Sequence, residues 1–363
     1  MSVHDLYRDY RLSWFGRGGA ESDVVLASRV RLARNFDRLP FPNRADMKQL
    51  AEVQAQAAKA FGNIERAAGQ EFDAVGMDGL TKLEREVLAE KRLVSEKLIE
   101  SPQYRSVYVS QDRRCSIMVN EEDHLRIQCM APGLDLRTPL AMAGKLDDVI
   151  EGQLDVAFDE KMGYLTSCPT NLGTGLRASV LLHLPGLVYT RNMNNIINIS
   201  QQLGLSVRGF YGGSSEAMGN IFSVSNQLTL GFTETGILEN LTNAATEIIG
   251  HERRARKALL LYSKERLEDA VWRACGVLKY ARSLGDSEAL ELISKVRLGL
   301  DLDLMHEVTM ERFSELLVAS RPGYLQNLAA SENLSAPELN RQRADVIRQI
   351  LSGGTPDKQG GTS

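Results

Sequence analysis

The sequence predicts an α+β fold: an antiparallel sheet flanked by helices, followed by an all-helical C-terminal unit. Three observations carry this. Short runs rich in β-branched residues, SVYVS, CSIMVN and HLRIQCM, follow one another across polar turns such as QDRR and EED, the signature of an antiparallel meander. VVLASRVRLARN alternates apolar and basic residues with period two, which fits an extended segment. Beyond about Thr235 the strand signals stop and helical periodicity runs to Leu351, most clearly in ERRARKALLLYSKERLEDAVWRA.

The first twenty or so residues are polar and glycine-rich at GRGG, and an N-terminal extension is expected over 1–22. In the strand that follows, Arg29 and Arg31 project from one face while Val30 and Leu32 face the core. Helical spacing spans Ala45 to Phe61 and Thr81 to Ile99, with Leu83, Val87, Leu88, Leu93 and Leu98 as a buried stripe. After the meander, a long helix is expected from Thr138 to Phe158. GYLTS, LRASVLL and LSVRGF read as strands, with a helix near Asn192 to Leu203 before the last of them, and NIFSVSNQ and LTLGF complete the strand-bearing part. The tail SGGTPDKQGGTS is too poor in apolar residues to pack and is expected to be disordered over 352–363.

A chain of 363 residues with 43% hydrophobic content buries a substantial core, in one large domain or two medium ones. Its net charge of -4 argues against a general nucleic-acid surface, so no direct nucleic-acid partner is expected. The four cysteines lie far apart with no CxxC pair, and MSVHDLYRDYRLSW lacks the apolar core of a signal peptide; a reducing cytoplasm is the simplest reading. No apolar stretch reaches membrane-spanning length, since LLHLPGLVY is short and broken by proline.

There is no GxxxxGK[ST] loop, no HRD or DFG, and no dinucleotide fingerprint. Phosphate binding therefore falls to side chains, and five arginines sit in four glycine- and asparagine-punctuated segments: Arg29, Arg31, Arg126, Arg177 and Arg208. A guanidinium is permanently charged and forks onto phosphate oxygens, so a convergent set suits a triphosphate. In NEEDHLRIQCM, a strand beginning near Glu122 puts Glu122, His124 and Arg126 on one face, with Glu122 and Arg126 roughly 13 Å apart along the backbone. Taken alone, a Glu-Glu-Asp segment is also an ordinary surface turn. Cys168, beside Pro169 in SCPTNLGTGLR, is an activated thiolate if cations surround it and a small buried hydrophobe otherwise. RGFYGG follows a strand and reads either as a glycine-hinged lid or as a simple turn.

These segments, in this order, resemble the phosphagen (guanidino) kinase family over about Asp23 to Arg256: ASRVRLARN is similar to the family's SSRVR, NEEDHLRIQCM to NEEDHLR, and SCPTNLGTGLRASV to CPSNLGTGLR. The resemblance implies a catalytic domain over 23–256 and a helical domain over 257–351. It implies ATP and Mg2+ as cofactors, with the five arginines on the ATP phosphates, Glu122 as the catalytic carboxylate supported by Glu121, and Cys168 against the acceptor guanidinium. Its nucleotide-binding positions map onto Ala27, Ser28, Arg29, Val30 and Arg31, onto Arg92 and Arg126, onto Arg177, Ala178, Ser179, Val180 and Leu181, and onto Arg208, Gly209, Phe210, Tyr211, Gly212 and Gly213.

Two features resemble the branch of that family that phosphorylates arginine side chains of proteins. ASRVR begins already at residue 27, without the small helical domain that precedes it in kinases of free guanidines, and a long helical extension follows instead. The resemblance implies protein substrates with exposed arginines, marked for a Clp-type chaperone-protease, a heat-shock repressor among the targets, and a homodimer. Three departures stand out. Gly213 replaces a glutamate usual in that branch, Arg92 replaces a common histidine, and LNRQRA at Leu339–Ala344 lacks the Arg-Asp pair that opens the RDxxRA phosphoarginine-sensing motif. A non-catalytic adaptor retaining the fold and a kinase of free arginine or small guanidines remain as alternative readings.

Overall fold

The computed structural model describes residues 6–7, 12, 14–15, 18–62, 64–211, 217–354 and 356. Gly212, Gly213 and the residues from 357 onward, part of the expected tail, lie outside the described residues. The strands are β1 Val25–Arg34, β2 Phe72–Gly76, β3 Ser106–Ser110, β4 Cys115–Val119, β5 Leu125–Pro132, β6 Phe158–Asp159, β7 Gly163–Tyr164, β8 Leu176–His183, β9 Leu205–Gly209 and β10 Ile221–Asn226. Eight of them form one antiparallel sheet in the order β2-β3-β4-β5-β1-β8-β10-β9, and β6 pairs with β7 separately.

Register decides what each face carries, because paired residues in adjacent antiparallel strands point the same way. Val30 pairs with Cys129 and Ala178, and Leu32 with Ile127 and Leu176; these side chains and Val224 and Val207 beyond them form an apolar face. Helices Met47–Phe61, Arg137–Glu151 and Met193–Gln202 and the start of Glu234–Tyr280 close over that face as one core. On the opposite face Arg31 pairs with Gln128 and Arg177, Arg29 with Ser179, Ser179 with Ser225, and Ser223 with Arg208. Five neighbouring strands thus present a floor of arginine, serine and glutamine.

Several elements differ from expectation. The Thr81–Ile99 segment is two helices, Lys82–Glu90 and Glu96–Glu100. Arg92 takes a left-handed φ of 60°, and Ser95 restarts the helix by accepting from the Leu98 N–H at 3.2 Å. The apolar stripe survives the break, since all five residues named for it are buried, so spacing alone does not reveal it. The helix expected to reach Phe158 ends at Glu151, where the Gly152 N–H closes on the Asp148 carbonyl at 3.0 Å. Of GYLTS only Gly163–Tyr164 is strand, and LTLGF is no strand at all. The Thr229 hydroxyl donates to the carbonyls of Thr170, at 3.1 Å, and Leu172, at 2.5 Å, which ties LTLGF to another loop instead of a strand.

The C-terminal part is helical throughout, in Glu234–Tyr280, Asp286–Asp301, Met310–Ala319, Pro322–Leu328 and Ala336–Leu351. The expected border at Arg256 falls inside the first of these, which departs from helical geometry only at Ser263. The helices share a second core with Leu26, Leu181, Tyr211 and Ile221 from the sheet region. Arg343, in the LNRQRA segment, is 2% exposed and donates to the carbonyls of Ser320 and Leu284, both at 2.8 Å, and to the Asn340 side chain at 2.9 Å. It pins helices together.

Candidate active site

The polar floor of the sheet is the base of a cavity of about 660 Å³ lined by all five arginines of the sequence analysis, with Arg92, Glu122, Cys168, Gly209 and Phe210. Four of the five are aimed by a neighbouring side chain. Arg29 Nε donates to Ser179 Oγ at 3.2 Å, Arg177 to Ser225 Oγ at 3.2 Å, and Arg208 Nε to Ser206 Oγ at 3.1 Å. Arg126 is held hardest, by Glu121 Oε1 at 2.6 Å. Arg92 reaches the cavity because of the helix break. Its guanidinium lies 4.3 Å from the Phe210 ring and donates to the Phe210 carbonyl at 3.1 Å, while its own carbonyl accepts from Gln128 at 2.7 Å.

The electrostatics are those of a site built for a polyanion. Burial first, then Arg92, Arg126 and Arg177, pull the Arg29 pKa down to about 9. Burial, Arg29, Arg126 and Arg177 push that of Arg31 well below its usual range, with Glu121 opposing. Burial lowers Arg177 as well, with Arg208 and Arg126 adding to it. Arg31 Nε is buried with no hydrogen-bond partner among the described residues. Like charges crowded together and partly dehydrated are costly, and phosphate oxygens placed among them reverse that cost.

The two carboxylates divide their work. Burial raises the Glu121 pKa, but Arg126, the Ser95 hydroxyl at 2.6 Å and the Glu122 N–H at 3.0 Å outweigh it and hold the carboxyl below its ordinary range. Glu121 therefore stays ionised and positions Arg126. Glu122 faces the cavity and pairs with Lys97. Both sit in the turn before β5, not on the strand, so the alternation expected from Glu122 to Arg126 does not hold. His124 points away from the cavity: its Nδ1 accepts from the Phe36 N–H and its Nε2 meets the Pro40 carbonyl, each at 2.9 Å. Burial pushes its pKa down to about 4, leaving it neutral. Buried Asp123 ties the turn to the cysteine loop, accepting from Asn35 and from the Ser167 N–H, both at 2.7 Å, while Ser167 Oγ donates to the Glu122 carbonyl at 2.7 Å. Cys168, next in sequence, has its Sγ 3.1 Å from Thr170 Oγ1.

Some implied nucleotide positions lie behind the floor. Val30, Ala178 and Val180 are in the sheet core, Ser28 Oγ donates to the Gly133 carbonyl at 2.8 Å, and Ala27 packs with Trp14 and Met130. Leu181 and Tyr211 belong to the second core. These residues set backbone and register but do not line the cavity, and Ser179 acts through Arg29. Sequence reasoning missed Thr170, Asn171, Ser223, Ser225, Gln227 and Leu228 in the lining. The two serines were within reach, since IFSVSN alternates with period two beside a strand carrying Arg177.

A cluster of arginines facing one carboxylate and one thiol, on the open face of an antiparallel sheet, defines a phosphotransferase that neutralises phosphate with side chains instead of a glycine loop. The ATP:guanido phosphotransferase, C-terminal catalytic domain, matches residues 52–255. The protein-arginine kinase McsB C-terminal domain matches residues 264–360. The protein-arginine kinase of Bacillus velezensis is 45% identical over 351 residues, 97% of this chain and 96% of that protein. That of Halalkalibacterium halodurans is 46% identical over 355 residues, 97% and 98% respectively. Among solved structures, lombricine kinase superposes with a TM-score of 0.55 at 22% identity, over 69% of this chain and 72% of its own. The substrate-free duplicated taurocyamine kinase from Schistosoma mansoni gives 0.57 at 20%, over 92% and 50%. This chain belongs to the ATP:guanido phosphotransferase family, and it is an enzyme that transfers phosphate to a guanidino nitrogen.

Proposed function

We propose that this enzyme phosphorylates arginine side chains of protein substrates with ATP. The observation that carries the reading is the match, near 45% identity and over almost the whole length, to relatives named protein-arginine kinase. The cavity supplies the means. Arg29, Arg31, Arg126, Arg177 and Arg208 take the triphosphate oxygens, and Arg92 joins them from the rim beside Phe210. The acceptor guanidinium lies between Glu122 and Cys168. Its nitrogen attacks the γ-phosphorus, the bond to the bridging oxygen of ADP breaks, and the nitrogen's proton passes to Glu122 as the P–N bond forms. Arginine is too basic to give up that proton beforehand, so the carboxylate acts within the transfer step. Lys97 holds Glu122 until the acceptor cation displaces it.

Mg2+ is proposed as the nucleotide's own companion. Among the described residues no group of three histidines, cysteines or carboxylates forms a metal site, and Mg2+ is commonly carried on substrate phosphates with few protein ligands. Its chemistry is to neutralise phosphate charge. The wider reading, resting on resemblance, is that the product marks damaged proteins for a Clp-type chaperone-protease, that a heat-shock repressor is among the targets, and that a homodimer does this in the cytoplasm. No helix among the described residues is long and apolar enough to cross a membrane.

The test is to incubate the protein with ATP, Mg2+ and an unfolded arginine-containing protein and to map phosphosites. Acid-labile phosphate on arginine is expected, with turnover well above that on free arginine. Glu122→Ala is expected to lower transfer by about 100-fold or more while nucleotide binding is retained. Bound ATP without any transfer would favour the adaptor reading instead.

A further inference from the structure

Next to the cavity the chain exposes large apolar side chains where a soluble surface would ordinarily be polar. In the segment after β10, Leu228 is 59%, Leu230 51% and Phe232 54% exposed, while Thr229 between the first two is buried. The sequence reads here as an alternating strand, yet the chain turns at Leu230–Gly231 and its apolar side chains face solvent without a partner strand among the described residues. The segment is firmly seated. Thr229 is bonded to the Thr170 and Leu172 carbonyls, Asn226 Nδ2 donates to the Leu228 carbonyl at 3.4 Å, and Gly173, at a φ of 109°, lies so close that a Cβ there would stand 2.9 Å from the Leu230 Cα. Gln227 is joined to Gly204 by a backbone hydrogen bond of 3.0 Å, which brings Leu203, 49% exposed, alongside, with Ile199, 50% exposed, one turn back on its helix.

The row is continuous with the site, since Leu228 lines the same cavity as Glu122 and Cys168. The Thr229 anchors at Thr170 and Leu172 belong to the loop that carries Cys168. Leu230 and Phe232 follow within a tight turn, in which the Phe232 N–H bonds the Thr229 carbonyl at 3.3 Å and Gly231 takes a φ of 84°. A polypeptide that places its arginine between Glu122 and Cys168 has its neighbouring residues over this row. Apolar side chains next to an arginine gain by burial there, and polar ones do not.

We propose that Leu230 and Phe232, with Leu203 next to the start of the segment at Gln227, form a docking ridge for unfolded polypeptide, selecting arginines that carry large apolar residues close by in sequence. This rests on the reading of the enzyme as a protein-arginine kinase and adds a preference among its acceptor arginines, set by their apolar neighbours.

The test compares two synthetic peptides with one arginine each, one with leucine and phenylalanine two to four residues from it and one with serine at those positions. For the unaltered protein, kcat/KM is expected to be about tenfold higher on the apolar peptide, equivalent to about 1.4 kcal/mol, mostly through KM. In the double variant Leu230→Ser, Phe232→Ser the preference is expected to vanish while turnover of the serine peptide and of free arginine is unchanged. Both positions are exposed, so folding is retained, and unchanged ATP binding checks it; Leu203→Ser gives an independent, smaller loss of preference. Equal kcat/KM of the unaltered protein on the two peptides, or a preference that survives the double substitution, overturns the ridge alone. Phosphorylation of neither peptide overturns it together with the protein-kinase reading.

Discussion

Arg31 shows what a single residue gives up for function. Its guanidinium is crowded by Arg29, Arg126 and Arg177 and has a buried nitrogen without a partner among the described residues. Replacing it with methionine, of similar length and without charge, removes repulsion that the nucleotide-free protein must bear. Arg31→Met is therefore expected to raise the thermal midpoint by a few degrees while weakening nucleotide binding about tenfold, the worth of one charge-assisted hydrogen bond of about 1.5 kcal/mol. A lower midpoint together with unchanged ATP affinity would refute both halves. At this scale the site was largely legible: the five arginines, Glu122 and Cys168 all line the cavity. His124 was misplaced because the turn before β5 shifts the alternation, a local irregularity that residue types do not announce.

Among the elements, the helix Glu234–Tyr280 is tied to the sheet region by one buried carboxylate. Glu252, fully buried, accepts the N–H groups of Gly186 and Leu187 at 2.9 and 2.8 Å and pairs with Arg256 at 2.7 Å. Arg256 in turn donates to the carbonyls of Asp23 and His183. Glu252→Ala leaves two backbone donors and a buried guanidinium short of their acceptor. It is expected to cost about 3 kcal/mol or more, read as a lower denaturation midpoint with kcat little changed in the folded fraction. The strands were legible wherever β-branched residues ran between polar turns. The break at Lys91–Ser95 was not, since no glycine or proline marks it and the apolar spacing continues through it. LTLGF fooled the pattern for the opposite reason: its residues alternate, but the chain turns at Leu230–Gly231, where the Phe232 N–H bonds the Thr229 carbonyl at 3.3 Å.

Across the whole molecule, the C-terminal helices are built into the catalytic part. Glu90, at the end of a helix next to the Arg92 turn, accepts the Gly323 and Tyr324 N–H groups at 2.8 and 2.9 Å. Arg321 lies 4.8 Å from the Tyr211 ring and bonds both oxygens of Asp286 at 2.9 Å. Burial raises the Glu90 pKa from 4.5 to about 7, Gly323, Arg321 and Tyr324 opposing and Glu86 reinforcing. A carboxyl whose folded pKa lies above its unfolded one binds its proton more tightly in the native state. Its contribution is complete below about 4.5 and is lost as pH rises through about 7. Unfolding free energy should fall over that window, and Glu90→Gln should flatten the slope; denaturant titrations at several pH values decide it, and an identical slope in the variant would exclude Glu90 as its source.

Residue order alone determined the fold class, the polar and apolar faces of β1, the helical C-terminal part and the membership in a guanidino phosphotransferase family, because these depend on local periodicity and on contiguous motifs. Only the tertiary structure decided which side chains meet. Arg208 on β9 and Arg126 on β5 share a cavity through the register of three strands between them, Arg92 enters through a break no spacing foretells, and the apolar row after β10 stays open. Register and long-range pairing are properties of the packed sheet, set by contacts between segments far apart in the chain, and a local pattern carries no record of its partner.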